Sequence, residues 1–398
     1  MKGWFRKPHS NHQLSVIYLD NNATTPLDPA VAASISLELE KQHANAGSQH
    51  QAGRMARRTL ESAREVIAKL FGLNCSDIHA DHVVVTSGAT EANNLALRGL
   101  LANKIGSCAR VVISSQEHPS VDQCVEFLAA AGHSVVRVNS LSNGTIDLDH
   151  LESVVDGDTA AVSVIHANNE TGIIQPLAQI SEICRQAGAP LHTDAVQAVG
   201  KTEWDFQAIP VASATISAHK LHGPVGVGAL LVRHGTDLYP QITGGFQQQG
   251  FRAGTESVFM AVALAKTLEL CFGADAQGYR HALCALRDRF EAQITSDIPD
   301  VQVIGSDVSR VPHTSCLSFQ GLDRQAIQMA LDAADICCST GSACASGSSE
   351  PSPTLISMGL SPEVIEGAVR FSFGRFNTVD EIDSACERIS SVIKHLRR

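Results

Sequence analysis

No stretch of eighteen uncharged apolar residues occurs in this chain, and its most apolar helical segment, Val258 to Ala274, is interrupted by Lys266 and Glu269. No membrane span is therefore predicted. Basic residues are also in short supply: 30 Lys and Arg stand against 41 Asp and Glu, giving a formal net charge of -11 and a pI near 5.8. That balance argues against nucleic acid or an anionic membrane as the main partner, because both need concentrated positive charge. The first nineteen residues carry Lys2, Arg6 and Lys7 but lack the apolar core of a secretory signal, and they read as a short disordered lead. Eleven cysteines at irregular spacing, with no such signal ahead of them, favour reduced thiols over a disulfide framework and point to the cytoplasm. No internal repeat is present. What remains is a chain of 398 residues, 44% of them hydrophobic, long enough for two or more domains with sizeable cores.

From about Asp81 onward, short β-rich runs alternate with helical patterns. The runs Val83–Thr86, Val111–Ser114, Ser134–Val138, Ala161–Ile165, Pro190–Thr193 and Ala214–Ser217 are separated by helices such as Glu91–Leu100 and one that follows Pro119. This rhythm predicts crossover units and a mostly parallel sheet covered on both faces, an α/β layer. After Glu256 the pattern changes to long amphipathic helices over Ser257–Phe272 and Tyr279–Thr295. Isolated strands near Thr314–Phe319 and Ala368–Phe373 follow, with a closing helix over Val379–Leu396. The later part thus reads as a smaller α+β domain joined by a long helix. The small residues from Ser339 to Ser349 predict a mobile loop with Cys344 near its middle.

Several residues at strand ends carry possible chemistry. Lys220, in Ser217-Ala218-His219-Lys220-Leu221, ends a small apolar run and precedes Gly223, Gly226 and Gly228, a setting that suits an amine made nucleophilic by desolvation. A lysine after a strand also commonly just snorkels to solvent. Thr86-Ser87-Gly88-Ala89-Thr90-Glu91 leaves a strand and opens a helix, which suits a phosphate cup. The same residues read equally as an ordinary cap with Thr90 capping. Asp194, in His192-Thr193-Asp194-Ala195-Val196-Gln197, stands at the carboxyl end of a strand, the side on which open α/β sheets bind ligands; alone it also reads as a turn former. A pyridoxal phosphate enzyme needs a Schiff-base lysine, a carboxylate for the pyridine nitrogen and an anion cup, and all three are available here. His118, before Pro119, could stack on a cofactor ring or simply turn the chain, and Asn168-Asn169-Glu170-Thr171-Gly172 adds amide groups or an Asx turn at the same edge.

Taken in order, the motifs resemble the cysteine desulfurases, a branch of the class V aminotransferase-like, fold-type-I pyridoxal phosphate enzymes. The resemblance runs from Tyr18-Leu19-Asp20-Asn21-Asn22-Ala23-Thr24-Thr25-Pro26 through Asn45 to His50, Thr86 to Asn94, Asn168 to Gly172, His192 to Gln197 and Ser217 to Lys220. It ends on Arg252-Ala253-Gly254-Thr255, the Cys344 loop and Arg370 to Arg375. It implies a large domain with a mostly parallel sheet of the seven-stranded type, over 27–265, and a small α+β domain over 266–398 that carries the Cys344 loop. Residues 1–26 would form a segment associated with the small domain.

By the same resemblance Lys220 would hold pyridoxal 5′-phosphate covalently, Asp194 would pair with its ring nitrogen, and His118 would stack on the ring. Asn169 and Gln197 would touch ring substituents, and Ala89, Thr90, Ser217 and His219 would bind the phosphate. Thr255 would reach the phosphate in a neighbouring subunit, which implies a homodimer. Arg370, with Asn169, would bind the L-cysteine substrate, its planar fork gripping the carboxylate. Cys344 would take the sulfur as a persulfide, release alanine and hand the sulfur to an acceptor protein such as an iron–sulfur scaffold or a transfer RNA thiolation pathway.

Cys337, Cys338 and Cys344 match no usual zinc spacing, so no metal is expected. Departures from the family pattern are Asn22 in place of the usual Ala, Gly47 in place of the common Ser, and an extension before the first motif; none of them touches a proposed role, and Gly244 to Gly250 differs from the usual Gly-rich and acidic form of that loop. A selenocysteine lyase, an eliminating cysteine lyase and a non-catalytic scaffold remain as other readings.

Overall fold

The computed structural model describes residues 16–75, 79–102, 108–341 and 350–398. Twelve strands are present among them: β1 Ile17–Tyr18, β2 His82–Thr86, β3 Arg110–Ser114, β4 Ser134–Val138, β5 Thr159–Ser163, β6 Leu191–Asp194, β7 Ser213–Ser217, β8 Gly228–Val232, β9 Val301–Val303, β10 Thr314–Phe319, β11 Ile336–Cys337 and β12 Ala368–Ser372. Seven of them form one sheet in the order β2-β8-β7-β6-β5-β3-β4. β8 runs antiparallel to both of its neighbours, and the other pairings are parallel.

The central strands are short Val, Ala and Ile runs because both faces of the sheet are covered. Val111 and Ile113 point into a core shared with Leu95, Leu97, Val121 and Val125 of the helices Ala89–Leu101 and Pro119–Ala130. Val112, Ala214 and Ile216 face the opposite core, with Ile180, Leu264 and Leu268. On that side, helix Gln51–Leu70 buries Ala56, Leu60, Ala63 and Ile67, a stripe at helical spacing.

The strands near 314 and 368 are not isolated, as the sequence had suggested. β10 pairs antiparallel with both β12 and β9 in a three-stranded sheet. Helices Ala276–Asp297 and Val379–Leu396 pack on it around Phe290, Phe371, Phe373, Ile382 and Ile389. The Phe290 ring lies 5.0 Å from that of Phe371 and 5.4 Å from that of Phe373. Thr378 and Glu381 form a capping box that starts the last helix.

Residues 17–28 stitch the two layers together. β1 pairs with β11, Asp20 bridges Ser372, the Thr25 amide and hydroxyl both donate to the His219 carbonyl at 2.9 Å, and the Asp28 amide donates to the His222 carbonyl at 2.9 Å. No helix among the described residues is long and apolar enough to cross a membrane.

Candidate active site

β2, β5, β6 and β7 end at one edge of the large sheet, and their carboxyl ends open on a cavity of about 320 Å³. Ala89, Thr90, His118, Asn169, Asp194, Gln197, Ser217, His219, Lys220 and Arg370, ten residues singled out in the sequence, all line it. Thr255 does not; it lines a neighbouring cavity of about 200 Å³ that shares Ser87 and Gly226 with the first. Cys344 lies outside the described residues, as does most of the expected mobile loop. A larger cavity of about 590 Å³, between Arg57, Arg64, Asp81 and Phe246, contains none of these residues.

The helix Ala89–Leu101 starts at Gly88, not at a Thr90 cap, and no side chain caps it. Gly88 has φ 154° and ψ -178°, a backbone shape open to glycine, and a Cβ there would meet no atom within 4 Å. The neighbouring Gly228 is needed for a different reason, since a Cβ on it would come within 2.6 Å of the Ile216 carbonyl and 3.0 Å of Gly88. β8 thus packs directly under the cup. The Ser87 amide donates to Glu91 at 2.8 Å, and Glu91 is paired with Arg252 at 2.7 Å. Burial works to raise the Glu91 pKa, but these partners outweigh it and hold the carboxyl below its ordinary value. Across the cavity the Ser217 hydroxyl is buried and has no hydrogen-bond partner.

Lys220 closes a short 3-10 turn, Ala218–Lys220, directly after β7. Its Nζ donates to the carbonyls of Asn22 (2.5 Å) and Ala23 (2.7 Å). A second lysine, Lys201, is 5% exposed and donates from Nζ to the Lys220 carbonyl at 2.9 Å. Burial pushes the Lys201 pKa down to about 7, and the Lys220 charge pushes the same way. His219 is pushed down to about 4, first by burial and then by Lys220 and Lys201, so it is neutral at neutral pH.

Asp194 accepts from the Val196 amide at 3.0 Å and from Asn93 Nδ2 at 2.8 Å. Asn93 also donates to Ser120 Oγ at 2.8 Å, and its Oδ1 lies 3.1 Å from His192 Nε2. His192 Nδ1 in turn meets Ser213 Oγ at 2.9 Å. His118 caps the helix Pro119–Ala130: its Nδ1 accepts from the Ser120 amide at 3.1 Å and lies 2.8 Å from Ser120 Oγ.

On the far wall, Arg370 projects from β12 and is 2% exposed. It donates to Asp20 Oδ1 at 2.7 Å and to the Asn169 carbonyl at 2.9 Å, and its buried Nε has no partner. Asn168 makes an Asx turn, its Oδ1 accepting from the Glu170 and Thr171 amides at 2.9 Å, so of the pair only Asn169 reaches the cavity. Next to it, Glu170 is raised by burial and accepts from Ser352 Oγ at 2.6 Å.

Asn22 departs from the expectation that it touches no chemical role. It lines the cavity, its carbonyl receives Lys220, its Nδ2 bridges Asn169 O (3.1 Å) and Thr314 Oγ1 (2.8 Å), and its Oδ1 is buried without a partner. Sequence reasoning also missed Asp20, Asn93, Ser120 and Lys201. Asp20, inside the first family motif, and Asn93, inside the motif from Thr86 to Asn94, carried a local signal.

A model of the family described as aminotransferase class-V matches residues 17–384. The chain belongs to that family. Among curated relatives of this class-V chain, a cysteine desulfurase of Nostoc sp. is 40% identical over 385 residues, which span 96% of the chain and 94% of the relative. Among solved structures, the NifS-like protein from Rickettsia africae superposes with a TM-score of 0.86 at 29% identity, covering 95% of the chain and 99% of that protein. SspA in complex with cysteine superposes with a TM-score of 0.79 at 29% identity, covering 91% and 100%.

Class-V aminotransferases depend on pyridoxal 5′-phosphate. The residues present fit that group. An uncapped helix N-terminus and an unpartnered hydroxyl suit its phosphate, a buried carboxylate suits a protonated ring nitrogen, and a lysine amine opens on the same cavity.

Proposed function

We propose that this class-V chain is a pyridoxal 5′-phosphate-dependent cysteine desulfurase that converts L-cysteine to L-alanine and keeps the sulfur on one of its own cysteines. The observation that carries this reading is the convergence of Lys220, Asp194, the uncapped helix at Gly88 with the Ser217 hydroxyl, and Arg370 on one cavity of about 320 Å³. The curated relatives that match nearly the whole chain and carry the name cysteine desulfurase support it.

When bound, the cofactor supplies an electron-withdrawing ring that stabilises negative charge beside the substrate's amino carbon. Lys220 would hold it covalently, and the freed Nζ, which the carbonyls of Asn22 and Ala23 accept, would move protons at the substrate. Asp194 would pair with the ring nitrogen. Gln197 and Asn169 would touch ring substituents, and Ala89, Thr90, Ser217 and neutral His219 would take the phosphate. His118, held by Ser120, would stack on the ring. Asp20 and the Asn169 carbonyl take one N–H each of the five on the Arg370 guanidinium, and the fork so held would grip the substrate carboxylate.

The sulfur step balances without an outside oxidant or reductant: L-cysteine and the Cys344 thiol give L-alanine and a Cys344 persulfide. The assignment of Cys344 rests on the sequence resemblance alone. A homodimer in which Thr255 serves the neighbouring subunit's phosphate, a protein sulfur acceptor and a cytoplasmic location complete the proposal. Phe246, 85% exposed, and Val225, 69% exposed, are apolar surfaces that suit an interface near this edge.

The test is the organic product formed from L-cysteine by cofactor-loaded protein with a thiol reductant, followed beside sulfide release. Alanine with matching sulfide is expected; pyruvate with ammonia would replace desulfuration by elimination.

A further inference from the structure

Asn93 sits in the middle of the helix Ala89–Leu101, fully buried, and touches the supports of both residues that would meet the cofactor ring. The hydrogens around it can be placed by exclusion, because a backbone N–H can only donate. The Val196 amide makes Asp194 Oδ1 an acceptor, and the Ser120 amide makes His118 Nδ1 an acceptor, so a neutral His118 carries its proton on Nε2. Both amide hydrogens of Asn93 are committed, one to Asp194 Oδ2 and one to Ser120 Oγ, each at 2.8 Å. Ser120 therefore accepts from Asn93 and sends its own hydroxyl proton to His118 Nδ1. Asn93 Oδ1 must then accept from His192 Nε2–H, and His192 Nδ1 must accept from Ser213.

Asn93, His192 and Ser213 are fully buried, and Asp194 and Ser120 are 3% and 8% exposed. Water therefore cannot repair a flipped amide, which would set its oxygen against the Asp194 carboxylate oxygen, acceptor against acceptor. Burial also keeps His192 neutral, its pKa pushed down to about 4, as this pattern requires.

We infer that Asn93 is the positioning residue of this site. Resting on the cofactor reading proposed above, it fixes both Asp194 oxygens as hydrogen-bond acceptors and His118 as its Nε2–H tautomer, and ties both to the helix whose N-terminus would receive the phosphate. One rigid element thereby sets the phosphate, the ring nitrogen and the ring face in a common frame.

The first test needs neither a variant nor the cofactor. Nitrogen-15 NMR of the full chain, histidine-labelled and freed of cofactor, should show His192 neutral with its proton on Nε2, and His118 with Nδ1 unprotonated, at neutral pH. His192 with its proton on Nδ1 would overturn the Asn93 orientation. This measurement stands even if wild-type protein refuses pyridoxal 5′-phosphate, an outcome that would instead sink the proposed function.

The second test is a double-mutant cycle on the equilibrium affinity for pyridoxal 5′-phosphate. Asn93→Leu should weaken binding roughly tenfold or more in the native background, since it removes a hydrogen bond to a charged group. In an Asp194→Ala background the same change should cost no more than about threefold, because Asn93 then has no carboxylate to act through. Equal factors in both backgrounds would reduce Asn93 to a packing residue. Should Asn93→Leu fail to fold, His192→Phe, which removes the hydrogen bond to Asn93 Oδ1 and no hydrogen bond to Asp194, enters the same cycle with the same two outcomes.

Discussion

Asp20→Asn measures how far Arg370 depends on its paired carboxylate. The guanidinium is 2% exposed and the acid 19% exposed, and the nitrogen–oxygen separation is 2.7 Å. Two opposite charges about 4 Å apart attract by about 4 kcal/mol at an effective dielectric near 20. The partial exposure of Asp20 screens the acid side, which leaves about 2–3 kcal/mol at stake. Asparagine keeps an oxygen for the same N–H, so the loss is the charge and not the hydrogen bond. Cofactor-free variant protein should accordingly lose about 2–3 kcal/mol in urea unfolding, because an uncompensated buried charge remains. A variant as stable as the native chain in dilute buffer would refute the idea that Asp20 neutralises Arg370.

Further changes test other parts of the site. Ser217→Ala should weaken pyridoxal 5′-phosphate binding roughly tenfold or more, as expected for a lost hydrogen bond to a charged group. The same change should leave binding of unphosphorylated pyridoxal unaltered in an absorbance titration. Lys220→Ala should retain cofactor that borohydride cannot fix to the chain, with turnover abolished, and Cys344→Ser should bind cofactor normally yet form no persulfide by mass spectrometry. Glu117, fully enclosed between Ser114, Ser163 and the Ile165 amide, has its pKa pushed by burial from 4.5 up to about 8. The folded state keeps a proton that the unfolded chain releases above 4.5, so this residue costs stability increasingly as pH rises from 4.5 to about 8. Glu117→Gln should therefore gain on the native chain across that window and hold a constant lead above it. A gap independent of pH in denaturation curves would contradict the buried neutral acid.

Much of the large sheet was legible because its strands are β-branched runs bounded by helices: Ser134–Val138 and the helix Val379–Leu396 appear with the expected ends. β8 was not, since a run that opens on glycine and follows two more, Gly223 and Gly226, reads as empty space for a ligand. The structure shows that Gly228 serves the close approach to Gly88 instead. β1 and β11 are two residues each and owe their existence to pairing across more than three hundred positions, which no local pattern can announce. Strand-end residues such as Lys220, Asp194 and His118 were visible because topology alone sends them to one edge. Asn93 was not, because beside Asn94 it looks like any polar residue of a helix. Its neighbour's amide donates to the Thr90 carbonyl one turn back and, at 3.4 Å, to the Ser120 carbonyl.

The stitching of residues 17–28 has a consequence for biosynthesis. Asn21 and Asn22 are among the first described residues to leave the ribosome, yet they close on Ser372 and Thr314, which are among the last. The carbonyls that receive Lys220 belong to this same early segment. The nascent chain can therefore complete the large sheet while its lysine still lacks the wall opposite it. The cavity becomes whole only once β12 has emerged, so cofactor capture follows synthesis of the three-stranded sheet.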